Sequence, residues 1–454
     1  MLQSINPYTE ELIKEYTEMS SSEIDEIIKS ADTAFQKWQN VGFPERAKLM
    51  KKAVAVLNKK KNELAKLMTL EMGKPILQSV AEVEKCAWVC DYYSENAEQF
   101  LSDEIIESDA SKSFVAYIPL GVVLAVMPWN FPLWQVFRFA APGLMAGNAG
   151  ILKHSSNVSG CALAIEDIFK EAGFPDNLFR SILVKSSKMD KVIEHPLIRA
   201  VTLTGSVPAG RSVAAKAGAM LKKTVLELGG SDPYLILDDA DIEQAAGTCV
   251  TARMINGGQS CIAAKRFIIV NSVYDEFTKL FLEKMKQIKM GDPINKENLL
   301  GPQASKSLRD ELHQQVIKSI EIGAELLLGG KIPELKGAFY PATILANVKK
   351  GMPAYDEELF GPVAALIKVK DETEAIQVAN DSIFGLGAAV FTEDIVKGEK
   401  IARDNVNAGA CFVNAFVKSD PRLPFGGVKE SGYGRELSEF GIKEFVNIKT
   451  VYIK

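Results

Sequence analysis

A chain of 454 residues exceeds what one hydrophobic core can organise and suggests about three domains of ordinary size. With 47% hydrophobic and 24% charged residues it has the composition of a compact soluble protein. A net charge of −5 argues against a nucleic-acid binder, whose usual mark is a basic stripe.

The opening MLQSINPYTEEL has neither a basic lead nor an apolar segment, so no signal peptide is expected. The most apolar stretch, residues 117–129, contains Pro119, Gly121 and Pro128 and is too short and broken to cross a bilayer. A cytoplasmic location is the default expectation. Ser20-Ser21-Ser22 can cap a helix in which Ile24, Ile27, Ile28, Ala31, Phe35 and Trp38 recur at helical spacing. A second helix is predicted from about Glu45 to Met72, stopped by Gly73-Lys74-Pro75, and a third to about Gln99. The basic run Lys59-Lys60-Lys61 lies in the second and reads as a solvated face.

From Phe114 the pattern changes to short β-rich runs at 122–126, 149–152, 179–183, 200–203 and 234–237. Helical stretches lie between them, around 135–146, 159–172, 187–194 and 208–220. This alternation is the form of repeated βαβ units, hence a doubly wound parallel sheet. A second series follows from near 240, with strands at 266–270, 364–369, 388–391 and 410–413. Two α/β domains therefore meet near residue 228.

Six cysteines (86, 90, 161, 249, 261, 411) are spread too thinly for a disulfide framework and are expected as reduced thiols. Cys86 and Cys90 stand four apart on a helix, but the three histidines (154, 195, 313) are scattered and no second such pair exists. No metal site is expected. One cysteine stands apart, in Asn256-Gly257-Gly258-Gln259-Ser260-Cys261, and a lone glutamate opens a second glycine-rich turn, Glu227-Leu228-Gly229-Gly230. Together they read as a nucleophile and a general base, which makes the protein an enzyme using covalent thiol chemistry. Thr204-Gly205-Ser206-Val207-Pro208-Ala209-Gly210, between a strand and a helix, is a candidate phosphate loop, though its spacing is GxxxxG and a plain strand-to-helix turn reads equally well.

MPWNFP at 127–132, LKHSSN at 152–157, TGS at 204–206, ELGG at 227–230, GGQSC at 257–261, EELFGPV at 357–363 and PFGGVKESGYGRE at 424–436 together resemble the NAD(P)-dependent aldehyde dehydrogenase superfamily. Within it the chain most resembles the short bacterial succinate-semialdehyde dehydrogenases. The resemblance implies a Rossmann-like cofactor domain (1–100 and 119–227), a catalytic domain (228–428) and a small β oligomerisation element (101–118 and 433–454) in a homodimer or homotetramer. It implies that Cys261 attacks the aldehyde to give a thiohemiacetal, that the Asn130 amide and the Cys261 N–H hold the oxyanion, and that Glu227 activates water against the thioester left by hydride transfer.

For the cofactor, NAD or NADP, the resemblance implies Trp129, Lys153, Ser155, Ser156, Gly205, Ser206, Glu358 and Phe360. Lys153 falls to the adenosine ribose, Ser206 to the pyrophosphate, and Glu358 with Phe360 to the nicotinamide end. NAD-preferring relatives carry a glutamate where this chain has Ser156, so NADP is expected to be accepted, with its preference over NAD open. For the substrate it implies Arg138, Ser419 and Phe425, with Arg138 clamping a distal carboxylate. A second arginine found in such relatives is Ile255 here, which leaves a broad-specificity aliphatic or aromatic aldehyde dehydrogenase as the alternative. A cysteine hydrolase would need a histidine base, and a non-catalytic relative would have lost Cys261 or Glu227; neither pattern is present.

Overall fold

The computed structural model describes residues 1–454 and contains two large, mainly parallel sheets and two small antiparallel ones, a three-stranded sheet and the N-terminal pair Leu2–Ile5 with Leu12–Tyr16. The first sheet runs in the order Gly432–Tyr433, Lys223–Glu227, Ile198–Thr204, Val122–Met127, Ala149–His154, Phe179–Ser181, all parallel except its two-residue edge. The second runs Glu325–Leu328, Thr343–Ala346, Val363–Val369, Arg266–Val270, Pro233–Ile236, Gly387–Phe391, Ala410–Val413, with only the first strand antiparallel. Alternate residues of its strands feed different cores: Tyr234, Ile236, Phe267 and Ile269 pack on one face, Leu235, Ile268 and Val270 on the other. A sheet apolar on both faces must be covered on both, which is the doubly wound arrangement.

The N-terminal helices form as their patterns dictate. Ser20 and Glu23 make a reciprocal capping box on the helix Ser21–Trp38. Gly73 ends a later helix in the left-handed conformation at φ 79°. The single helix expected over residues 45–72 is instead two, Phe43–Lys59 and Lys61–Met72, broken where Lys60 leaves helical geometry. Its lysine run is not simply solvated: Lys59 and Lys60 both reach Glu171, at 2.9 and 2.7 Å, and Lys61 reaches Glu84 at 2.8 Å.

Three further differences bear on the site. The Pro233–Ile236 strand, placed by sequence at the end of the first series, belongs to the second sheet. Lys223–Glu227, unanticipated as a strand, carries Glu227 at its carboxyl end and pairs Glu227 with Gly432. Tyr433, grouped by sequence with the tail, lies on the first sheet, while Val446–Ile453 pairs with Lys112–Pro119 in the three-stranded sheet. No helix is long and apolar enough to cross a membrane.

Candidate active site

The turn that carries Cys261 is a chain of left-handed residues. After the helix Ile242–Met254, Asn256, Gly257 and Gly258 have φ of 52°, 60° and 77°. Asparagine tolerates this region and glycine enters it without a steric penalty. A Cβ on Gly258 would also run into the carbonyl of Gly361, so this position admits only glycine.

Buried side chains then fix the turn from several directions. Arg253 Nη2 donates to the Gly258 carbonyl at 2.8 Å, Gln78 Oε1 accepts from Asn256 N–H at 2.6 Å, and Gln259 Oε1 accepts from Ala304 N–H at 2.9 Å. Lys265, fully buried, donates from Nζ to the carbonyls of Ser260, Cys261 and Ala263 at 3.0, 2.8 and 3.0 Å. Except for the half-buried Gln78, these bonds are made by charged or amide groups removed from water, where an unmade partner is costly. The backbone on either side of the thiol is therefore tightly held.

Cys261 lies on the wall of a cavity of about 720 Å³ together with Ser260, Phe131, Trp134, Arg138 and Phe425. Burial pushes its thiol up to about 12, only partly opposed by the positive charges of Arg138 and Lys265. The resting nucleophile is thus a neutral thiol that needs a base.

Glu227 has the character of one. It is buried, neither carboxylate oxygen has a hydrogen-bond partner, and burial together with the nearby Glu436 carboxyl raises its pKa well above the ordinary carboxylate range. Asn130 is tied to the nucleophile turn rather than exposed on the cavity wall: Nδ2 donates to the Gln259 carbonyl at 3.0 Å and its own carbonyl accepts from Asn256 Nδ2 at 2.7 Å. Gln135 Nε2 holds Oδ1 at 3.1 Å, which fixes the amide with Nδ2 toward the Gln259 carbonyl.

The glycines of ELGG have a specific use. Gly230 N–H donates to Glu358 Oε1 at 3.0 Å, and a Cβ on Gly229 would meet Glu358 Oε2 at 2.5 Å. Glu358 thus lies against this backbone, 3.6 Å from Lys265 Nζ. Trp129 and Phe360 meet edge to face at 5.7 Å. Across the first sheet, Gly205 N–H donates to the Glu227 carbonyl at 3.0 Å, and Ser206 caps the helix Val207–Ala219. The second glycine of GxxxxG has its own reason: a Cβ on Gly210 would meet Leu228 Cδ2 at 2.5 Å, so that helix can lie close to the ELGG turn.

Lys153 is the next-to-last residue of the strand Ala149–His154, buried, with Ser186 Oγ at 3.3 Å and no carboxylate in salt-bridge range. Burial alone lowers its pKa. Ser155 Oγ donates to Asn157 Oδ1 at 2.7 Å, and Ser156 opens the short 3₁₀ turn that follows. His154, next to Lys153, is held by backbone: Nε2 lies 2.8 Å from the Pro132 carbonyl, and Nδ1 lies 3.1 Å from the Met127 carbonyl and 3.0 Å from Ser155 N.

Arg138 does line the cavity, but it is not a free clamp. Its Nε pairs with the buried Glu436 carboxylate, Nη2 donates to Thr204 Oγ1 at 3.3 Å, and the guanidinium lies over the Phe425 ring at 4.6 Å. Sequence reasoning quoted Glu436 within a motif without giving it work, and it missed Lys265, whose signal is its place four residues after Cys261. It also missed Lys85, which lines the same cavity and donates to Ser419 Oγ at 2.8 Å, and for which no local signal exists.

Comparisons with known proteins identify the family. The profile of the aldehyde dehydrogenase family matches residues 1–451. A Synechocystis protein named a probable succinate-semialdehyde dehydrogenase (NADP(+)) is 49% identical over 450 residues, covering 99% of each chain. A Mycobacterium avium succinate-semialdehyde dehydrogenase (NADP(+)) is 48% identical over 454 residues, covering 99% of this chain and 96% of its own. The crystal structure of succinic semialdehyde dehydrogenase from Streptococcus pyogenes in complex with NADP+ superposes with a TM-score of 0.98 at 37% identity, with full coverage of both chains. A family profile that spans residues 1–451 and relatives 49% and 48% identical almost end to end make this chain a member of the aldehyde dehydrogenase family.

Proposed function

We propose that the protein oxidises succinic semialdehyde to succinate with NADP, Cys261 acting as nucleophile and Glu227 as general base. The observations that carry the reaction are a cavity-lining thiol and a buried carboxyl whose two oxygens lack any hydrogen-bond partner. Glu227 takes a proton from the thiol or from the attacking water. Asn130 Nδ2 and the Cys261 N–H donate to the oxyanion that forms when sulfur adds to the carbonyl. The bound cofactor supplies the hydride acceptor. Hydrolysis of the thioester then regenerates the thiol, and the raised pKa of Glu227 suits that second task.

Support for NADP is the Lys153 ammonium, buried with no counter-charge beside a serine at position 156, which fits a 2′-phosphate and would leave nothing to repel it. Trp129, Ser155, Gly205, Ser206, Glu358 and Phe360 are assigned to the rest of the cofactor as the resemblance implies. Support for a substrate with a distal carboxylate is the cavity's own chemistry: Arg138 and Ser419 line it with Cys261. The Synechocystis and Mycobacterium avium relatives bear the same substrate and cofactor in their names.

A homodimer or homotetramer built through the three-stranded sheet belongs to this reading, as do the domain limits 1–100 with 119–227, 228–428, and 101–118 with 433–454. The edge strand Val446–Ile453 leaves Ile448, Tyr452 and Ile453 exposed, a face that invites pairing. Six free thiols accord with the cytoplasm. The test is reduced-cofactor absorbance with an aldehyde panel and both cofactors. The reading expects kcat/KM for succinic semialdehyde at least tenfold above butanal, hexanal and benzaldehyde, and NADP at least equal to NAD. A flat panel would return the protein to the broad-specificity class.

A further inference from the structure

The cation Arg138 brings to the cavity is already matched by Glu436, and the second arginine of similar enzymes is Ile255 here. Of the lysines lining the cavity, Lys284 pairs with Glu243 and Lys418 is exposed to solvent, which leaves Lys85 as the half-buried cation that no salt bridge matches. Lys85, on the helix Ile76–Phe100, reaches into the cavity with Nζ 2.8 Å from Ser419 Oγ and 4.3 Å from the Trp134 ring centroid.

The carboxylates around Lys85 are committed elsewhere. Glu82, one turn earlier, pairs with Lys74 and accepts the N–H groups of Leu133 and Trp134, both at 2.9 Å. Asp420, next to Ser419, is held by Arg422 through Nε at 2.9 Å and Nη2 at 2.7 Å. Lys85 makes no salt bridge to either. Ser419 is oriented by the same arrangement: its oxygen accepts from Lys85 Nζ and from Trp134 Nε1 at 3.2 Å, so both lone pairs are used and its O–H is left to donate.

We infer that Lys85 is a specificity-determining residue, supplying the net positive charge that holds the substrate's distal carboxylate, with Ser419 and Arg138 as hydrogen-bond donors beside it. This rests on the carboxylate-bearing substrate proposed above and goes beyond it in naming which charge selects that substrate. Because Arg138 is offset by Glu436, the guanidinium fixes geometry while the ammonium provides the charge difference between an anionic and a neutral aldehyde.

Burial, and then repulsion from Arg138, hold the Lys85 ammonium down to about 8. The groups facing it are Arg138 from the neighbouring helix, Asp420 from the loop, and Glu82 and Cys86 on its own helix. Lys85 therefore loses its charge as pH rises through about 8, and selectivity for the anionic aldehyde falls with it.

The experiment compares full-length wild type, Lys85→Met and Lys85→Arg, reading kcat/KM for succinic semialdehyde divided by kcat/KM for butanal. The ratio is expected to fall at least tenfold in Lys85→Met and to stay within threefold of wild type in Lys85→Arg. Between about pH 7 and about pH 9.5 it should decline in wild type and stay flat in Lys85→Arg, whose guanidinium does not titrate there. A wild-type preference that survives Lys85→Met overturns this inference alone. Equal losses with both aldehydes make Lys85 structural and overturn it too, and Lys85→Gln repeats the measurement should Lys85→Met not fold. A wild type with no preference overturns the substrate reading itself, and this inference with it.

Discussion

The two ends of the cavity are built on different principles. At the Cys261 end, the nucleophile and base sit on two glycine-rich turns close together along the chain, Asn256–Gly258 in backbone that only glycine or asparagine enters readily, and with polar atoms left unpaired: both oxygens of Glu227, Ser260 Oγ and Asn256 Oδ1. At the far end, Lys85, Arg138 and Ser419 come from two helices and a loop remote in sequence, and each already touches a partner. Lys85 bonds Ser419, and Arg138 bonds Thr204 and forms an ion pair with Glu436, although its Nε and the Glu436 oxygens are not in hydrogen-bonding geometry. Chemistry calls for groups whose bonds are completed only by reacting atoms, whereas recognition calls for groups held in place beforehand.

The sharpest way to break this contrast is at the reaction end. Cys261→Ala should abolish aldehyde oxidation. Glu227→Gln should lower steady-state turnover by roughly a hundredfold to ten-thousandfold, the range of a lost general base, with the first equivalent of reduced cofactor still released if the thioester accumulates. Wild-type turnover should rise with pH as Glu227 loses its proton, over a range above that of an ordinary carboxylate, and Glu227→Gln should lack that rise. Near-normal turnover in Glu227→Gln would move the base elsewhere.

At the recognition end the first loss should be stability. Arg138→Met leaves Glu436 buried without its partner, a change that costs about 3–5 kcal/mol where the carboxylate stays charged. Denaturant unfolding should register it, along with a raised KM for succinic semialdehyde but not for butanal. Adding Glu436→Gln should restore much of the stability and none of the affinity. Stability that tracks affinity in both variants would mean the two ends are not separable.

These differences explain what the sequence disclosed. Gly257, Gly258, Gly229 and Gly230 are local requirements of turns, so the reaction end was legible as short motifs. The βαβ alternation was legible because both faces of a parallel sheet are apolar. Lys85 was not, since nothing in its helical surroundings distinguishes it from a surface lysine; only the commitment of Glu82 to Lys74 and of Asp420 to Arg422 leaves it unmatched. The same blindness hid the Glu436 partner of Arg138, which made a matched cation look like a free clamp.

His154 tests whether the frame beneath Asn130 is a structural part of the reaction end. Burial lowers its pKa to about 4, so the fold keeps the ring neutral between Pro132 and Ser155. A folded-state value below the unfolded one of about 6.5 means full stability above about pH 6.5 and progressive loss as pH falls toward 4, amounting to about 3 kcal/mol. His154→Gln, which can keep a donor toward the Pro132 carbonyl, should flatten that part of the stability curve. An unchanged acid limb would assign the loss to other groups.

The smallest effect, and the finest probe of recognition, is expected at Ser156. Cofactor choice differs from substrate choice in resting on one local motif, the strand end at Lys153 and the turn three residues on. A carboxylate in that turn would pair with the buried, otherwise unmatched Lys153 ammonium and repel a 2′-phosphate, while accepting the 2′-hydroxyl of NAD. Ser156→Glu should therefore lower kcat/KM for NADP relative to NAD by about tenfold, close to 1.4 kcal/mol of discrimination, measured with succinic semialdehyde saturating. The succinic semialdehyde to butanal ratio should not move with it, because Lys85 and Ser419 lie on other elements. If both selectivities shifted together, the two recognition sites would share a scaffold, and the separation between a motif-borne and an assembled site would not hold for this protein.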